Sequence, residues 1–186
     1  MEVETKTAYI GLGSNLGDRA GNLLLAVRGL LEASIKVHRL SAIYETEPVG
    51  IDYADNFLNM VAEVSVTNIT PAQMLARMIR IEYLLGRRNK FENAPRTVDL
   101  DLLFFGDVHL DTPFLTLPHP RLHERKFVLV PMVELTPHFI HPVFQRTVQE
   151  LLAETLDSSK VRRWNPNGET ETKKFINQQI HTSFPG

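Results

Sequence analysis

The chain has 186 residues, a formal net charge of −2 and 43% hydrophobic residues, which suits one domain with a real core and offers no global basic field for nucleic acid. It contains 0 Cys, so disulfides and thiolate metal sites are excluded, as fits a reducing cytoplasm. Met1 to Lys6 lacks the apolar run of a signal peptide, and no stretch approaches the length of a membrane-spanning helix, so no membrane association is expected.

In chain order, Thr7–Gly13 reads as a short apolar strand entering a Gly-rich turn, 13–19. The glycines at 11, 13 and 17 do not match a dinucleotide fingerprint and read as backbone fitting. Leu23 to Leu31 has helical spacing, in a helix starting near Asp18. Val37 to Tyr44 reads as a second strand, 45–52 as a Pro/Gly loop, and Phe57 to Val66 as a third strand interrupted by Asn59. Asn59 is either a strand-edge side chain bonded to backbone or an amide facing a ligand. Thr70 and Pro71 open the next helix, and Gly86 closes it. Positions 87–95 form a basic loop.

The stretch 95–106 carries the chemistry. Its core reads as a strand closed by Gly106-Asp107. Val98, Leu100 and Leu102 point to a core, while Asp99 and Asp101 share the opposite face, about 7 Å apart along the chain. Like charges so close repel, and a cation removes the problem; Mg²⁺ favours one or two carboxylates plus substrate phosphates. The alternative is a strand with an acidic solvent face. Arg87, Arg88, Lys90 and Arg96 lie just upstream, and a basic cluster beside paired carboxylates suits a metal-bound polyphosphate. His119, between Pro118 and Pro120, is either an incidental loop histidine or a phosphate contact. Residues 122–127 lead into an apolar stretch, 128–135, whose helical length Pro131 limits. Residues 1–164 read as one domain, and 165–186 as a polar extension ordered only if it docks. The order β-α-β-β-α-β is the ferredoxin-like pattern, an α+β fold with helices packed on an antiparallel sheet.

Three blocks, Tyr9–Asp18, Arg96–Gly106 and Leu117–Arg125 with Phe127–Leu129, resemble in order and spacing the 6-hydroxymethyl-7,8-dihydropterin pyrophosphokinase family of folate biosynthesis, over roughly residues 7–155. The resemblance implies a ferredoxin-like fold and an enzyme that transfers the β,γ-pyrophosphoryl group of ATP to the pterin hydroxymethyl group, leaving AMP. It implies two Mg²⁺ ions on Asp99 and Asp101. Arg87 and Arg96 match catalytic polyphosphate contacts, and His119, Arg125 and Arg88 or Lys90 match further ones. Glu82 matches a position near the nucleotide. Thr46, Val49, Phe57, Asn59 and Phe127 match the pterin pocket; from composition alone both phenylalanines would read as core. Loops near 45–55 and 86–95 match segments that close on substrate. The family commonly carries an aromatic residue, preceded by a basic one, before the signature; Asn93 and Glu92 align there, with Phe91 nearby. Residues 165–186 have no counterpart in its short members. The partners implied are ATP and a dihydropterin, with no nucleic acid, and a monomer is expected. Two other readings stay open: another Mg²⁺-dependent phosphoryl or nucleotidyl transferase, and a ferredoxin-like RNA-binding module, which would want sheet-face aromatics and a basic surface.

Overall fold

The structure, a computed structural model, describes residues 4–47, 56–86 and 97–166. Along the chain run β1 (Thr5–Ser14), α1 (Arg19–Glu32), β2 (Lys36–Leu40), β3 (Tyr44–Thr46), β4 (Phe57–Thr67), α2 (Pro71–Leu84), β5 (Asp99–Phe105), β6 (Leu110–Asp111), β7 (Thr116–Leu117), α3 (Lys126–Leu135), α4 (Val148–Glu154) and β8 (Val161–Arg163). The large sheet has the order β5-β1-β4-β3-β8, with β2 also paired to β4. Its pairings are antiparallel. This is the ferredoxin-like α+β arrangement with additions.

Local chemistry explains the starts. The Asp18 side chain accepts from the Gly21 N–H at 3.0 Å and caps α1. Thr70 and Gln73 form a reciprocal capping box at α2, with Pro71 in the first turn. The expected strand Val37 to Tyr44 is two strands. Between them Ser41 Oγ accepts the Val61 N–H at 2.9 Å, so a side chain stands in the ladder where backbone would otherwise pair. Pro131 does not end its helix: α3 continues to Leu135, because Leu129, Met132 and Leu135 bury on either side of it and offset the lost hydrogen bond. The short helix α4 and strand β8 were not anticipated. A capping box, Thr147 with Glu150, marked α4; nothing local marks β8, whose partner is β3.

The sheet has two unequally covered faces. On one, Ala8, Ile10, Leu12, Met60, Leu100 and Leu102 pack under α1 and α2, with Leu23, Leu30, Met74 and Met78. Val98 is buried there too, as the strand pattern required. On the other, Tyr9, Val61, Leu103 and Phe104 pack under α3 and α4. A register shift at Tyr9/Ile10 makes Leu103 the extra residue of β5, so Leu103 and Phe104 both enter this second core. The second core occupies one end of its face. At the other end the same alternation displays Gly11 and Gly13 of β1, Phe57 and Asn59 of β4, and Asp99 and Asp101 of β5.

His141 anchors the segment between α3 and α4. It is 3% exposed, stacks on Phe144 at 4.4 Å, and its Nδ1 accepts from the Val143 and Phe144 N–H groups at 3.2 Å. Burial, helped by nearby His123, pushes its pKa down to about 4. The ordinary value is about 6.5, so this group's contribution is complete above that pH and is lost as pH falls towards 4. The full loss is up to about 3 kcal/mol. Urea midpoints measured from pH 7 to 4 should fall less steeply in His141→Gln than in the natural chain; parallel slopes would refute the assignment.

Candidate active site

The two aspartates sit on β5 at the edge of the sheet. Asp99 is opposite Gly13 and Asp101 opposite Gly11. Between them the Leu100 N–H, turned outward, donates to Glu82 Oε1 at 2.8 Å. Glu82 is 2% exposed and belongs to α2. It lies on the helix side of the sheet, holding the backbone that carries both carboxylates, and is not a surface group. This bond also blunts the outer edge of β5.

A cation lies beside Asp101. Arg125 Nη1 lies 3.6 Å from Asp101 Oδ2, and its guanidinium stands 5.7 Å above the Phe127 ring. Burial pulls the Arg125 pKa below its ordinary range; Asp101, and more weakly Asp99, pull it back up. His119 is fixed at the same end. Its N–H donates to the Leu103 carbonyl at 2.9 Å, and its Nδ1 accepts from the Arg121 N–H at 3.2 Å. Burial holds His119 below the usual imidazole range, with Asp101 opposing. With Nδ1 accepting from Arg121, Nε2 is the donor of the neutral ring. Arg121 was not singled out in the sequence. Its charge acts on both His119 and Arg125, and its place in the same prolyl stretch was the available signal. Asp101 and His119 line a cavity of about 250 Å³ whose walls include Leu75, Leu102, Leu115 and Thr116. Its lining mixes these apolar side chains with the polar groups of Asp101, Thr112, Thr116 and His119.

On the other side of β1 lies a polar pair. Asn59 Nδ2 donates to Thr46 Oγ1 at 3.3 Å, and both residues are buried. Asn59 is opposite Gly13, so Asp99, Gly13 and Asn59 form one row across three strands. A side chain at Gly13 would place its Cβ 3.0 Å from Asn59 Oδ1. Gly17 does carry a positive φ, 65°, as backbone fitting requires. Gly11 and Gly13 do not: both lie within β1, and at Gly13 the constraint is room beside Asn59, not backbone conformation. Phe57 shares the Asn59 face and Phe127 lies in the first turn of α3; both are partly buried, and Phe127 also packs against the second core. Val49, Arg87, Arg88, Lys90 and Arg96 lie outside the described residues, as do Phe91, Glu92 and Asn93.

The donor chemistry can be tested against a metal. Among the described residues no cluster of three or more His, Cys, Asp or Glu could hold an ion. Two carboxylates on alternate strand positions suit a hard cation that completes its shell with phosphate and water, which is the habit of Mg²⁺.

The family model described as 7,8-dihydro-6-hydroxymethylpterin-pyrophosphokinase matches residues 9–137, a span that includes Thr46, Asn59, Glu82, Asp99, Asp101, His119 and Arg125. The chain belongs to this family. The 2-amino-4-hydroxy-6-hydroxymethyldihydropteridine pyrophosphokinase of Bacillus subtilis is 40% identical over 176 residues, covering 94% of this chain and 96% of the relative. That of Aquifex aeolicus is 35% identical over 148 residues, 80% of this chain and 91% of the relative. A crystal structure of Plasmodium falciparum HPPK-DHPS superposes with a TM-score of 0.64 at 19% identity, covering 83% of this chain and 43% of the longer one; it shares the fold. As a pyrophosphokinase of this family the chain is an enzyme of folate biosynthesis, acting on ATP and hydroxymethyldihydropterin. The Bacillus match, over 94% of the chain, reaches into part of 165–186. No helix among the described residues is long and apolar enough to cross a membrane.

Proposed function

We infer that this enzyme moves the β,γ-pyrophosphoryl group of ATP to the hydroxymethyl oxygen of 6-hydroxymethyl-7,8-dihydropterin on the open end of the sheet, with Asp99 and Asp101 holding two Mg²⁺ ions. The observation that carries this reading is the row Asp99–Gly13–Asn59. It sets a carboxylate suited to a metal on one side of a bare glycine and a recognition amide on the other. A pterin hydrogen-bonded to Asn59 would then direct its hydroxymethyl group across the glycine towards the carboxylates.

Each residue has a chemical task. Asn59 and Thr46 read the pterin edge, and Phe57 and Phe127 flank its faces. Arg125, Arg121 and the Nε2–H of His119 take phosphate oxygens, and the apolar walls beyond Asp101 take the nucleoside. Bound at the aspartates, Mg²⁺ would neutralise triphosphate charge and acidify the attacking hydroxyl. Transfer of this kind needs positioning and charge stabilisation more than covalent help, so the lack of a nucleophilic serine or cysteine arrangement among the described residues is no obstacle. Arg87, Arg96, Arg88 or Lys90, Val49 and Glu82 complete the proposed site, Glu82 through its hold on Leu100. We take residues 1–164 as one domain of a cytoplasmic monomer; light scattering at the mass of a single chain checks the last point.

The test is turnover with ATP, Mg²⁺ and the pterin, resolving AMP from ADP. AMP formed only when all three are present is expected. ADP, or AMP formed without pterin, would overturn the reading.

A further inference from the structure

One cation ties together the two strands that carry the proposed pterin contacts, and nothing above uses it. Arg19 is the first residue of α1, set there by the Asp18 cap. Its Nη1 donates both to Glu45 Oε1, at 3.2 Å, and to the backbone carbonyl of Asn56. Both side chains of the ion pair are largely covered, 24% and 32% exposed. Glu45 precedes Thr46 in β3, and Asn56 precedes Phe57 in β4. Thr46 and Phe57 are partners at the end of the β3–β4 ladder. Beyond that pair no further rung is described, and the Arg19 nitrogen supplies the next cross-strand tie with its two hydrogens.

The acceptors explain why a cation is needed. Glu45 and the Asn56 carbonyl can only accept, and without a shared donor two electron-rich groups would face each other across the strands. A guanidinium satisfies both in a fixed fork, leaving less freedom in the spacing it imposes than a flexible ammonium would. Among the described residues, the Arg19 side chain bonds to Glu45 and Asn56, beside Thr46 and Phe57, and not to Asp99, Asp101, His119, Arg121 or Arg125.

We propose that Arg19 is a positioning residue for the pterin: it fixes the separation of β3 and β4 at Thr46 and Phe57, and so sets affinity for the ring while leaving ATP binding alone. The inference rests on the pterin pocket proposed above. Loss of two charge-assisted bonds gives Arg19→Ala about a tenfold rise in pterin KM, with ATP KM changing less than about twofold. Arg19→Lys, which keeps the charge, recovers part of that rise. Glu45→Ala, which removes one acceptor, shows the same split at smaller amplitude.

The experiment measures KM for each substrate, kcat and melting temperature for these variants beside Asn59→Ala. A purely structural ion pair would lower the melting temperature without separating the two KM values. A pterin-selective rise in Arg19→Ala and Glu45→Ala, partly rescued by lysine, supports the proposal. If Asn59→Ala raises pterin KM and the Arg19 and Glu45 variants do not, the pocket stands and the clamp falls. If Asn59→Ala has no effect on pterin KM, the pocket itself is wrong and the clamp falls with it. Should Arg19→Ala fail to fold, Glu45→Ala and Arg19→Lys decide between the same outcomes.

Discussion

Replacing Asp99 or Asp101 by alanine is expected to lower kcat by at least about a thousandfold, the scale of several kcal/mol of lost transition-state charge stabilisation, while the chain stays folded. The fold should persist because neither carboxylate is core: Asp101 has its side chain 31% exposed, and both stand on the open face of an edge strand. β5 is buried through Leu100, Leu102 and Phe105 in the first core and Leu103 and Phe104 in the second, and the Leu100 N–H keeps Glu82 in either variant. Removing Asp101 also deprives Arg125 of its ion pair at 3.6 Å, so that variant should show the larger rise in ATP KM. Steady-state turnover over a range of Mg²⁺, with circular dichroism for the fold, checks this. Substantial turnover in both variants would sink the metal assignment.

Gly13→Val is expected to raise pterin KM by about a hundredfold or more, with ATP binding much less affected. A β carbon alone would sit 3.0 Å from Asn59 Oδ1, and valine adds two methyl groups to the gap between Asn59 and Asp99. The Asn59–Thr46 bond, already 3.3 Å, would have to shift or break, leaving buried polar groups less well paired. Valine suits a strand by propensity, so the cost should appear in binding more than in unfolding. Fluorescence binding of the pterin, set beside the melting temperature, separates the two. Unchanged pterin affinity in a folded Gly13→Val chain would mean that the row across β5, β1 and β4 is not the pocket floor.

Some of this was readable along the chain because it depends on neighbours in sequence. The alternation Val98, Asp99, Leu100, Asp101, Leu102 fixes which side chains face a core whatever the strand pairs with. The caps at Asp18 and Thr70 mark helix starts through bonds that span three residues. The resemblance brought His119, Arg125, Asn59 and Phe127 into the site ahead of any structure, and the described residues put His119 and Arg125 beside Asp101.

Other features depended on which strands meet. Gly11 and Gly13 read as backbone fitting in the sequence, and the structure sets them on β1 between the aspartates of β5 and Asn59 and Val61 of β4. Ser41 splits a predicted strand because an amide twenty residues on finds its hydroxyl. Val161–Arg163 has no strand signal of its own and pairs because β3 presents an edge. Sequence by itself determined the carboxylate pair, the starts of α1 and α2, and the family, since those are set by periodicity, local hydrogen bonds and motif order. Only the tertiary structure decided that α3 and α4 pack on one end of a sheet face while Asp99, Gly13 and Asn59 line the other. Side-chain volume against a particular neighbouring strand settles such a matter, and that neighbour is distant in the chain.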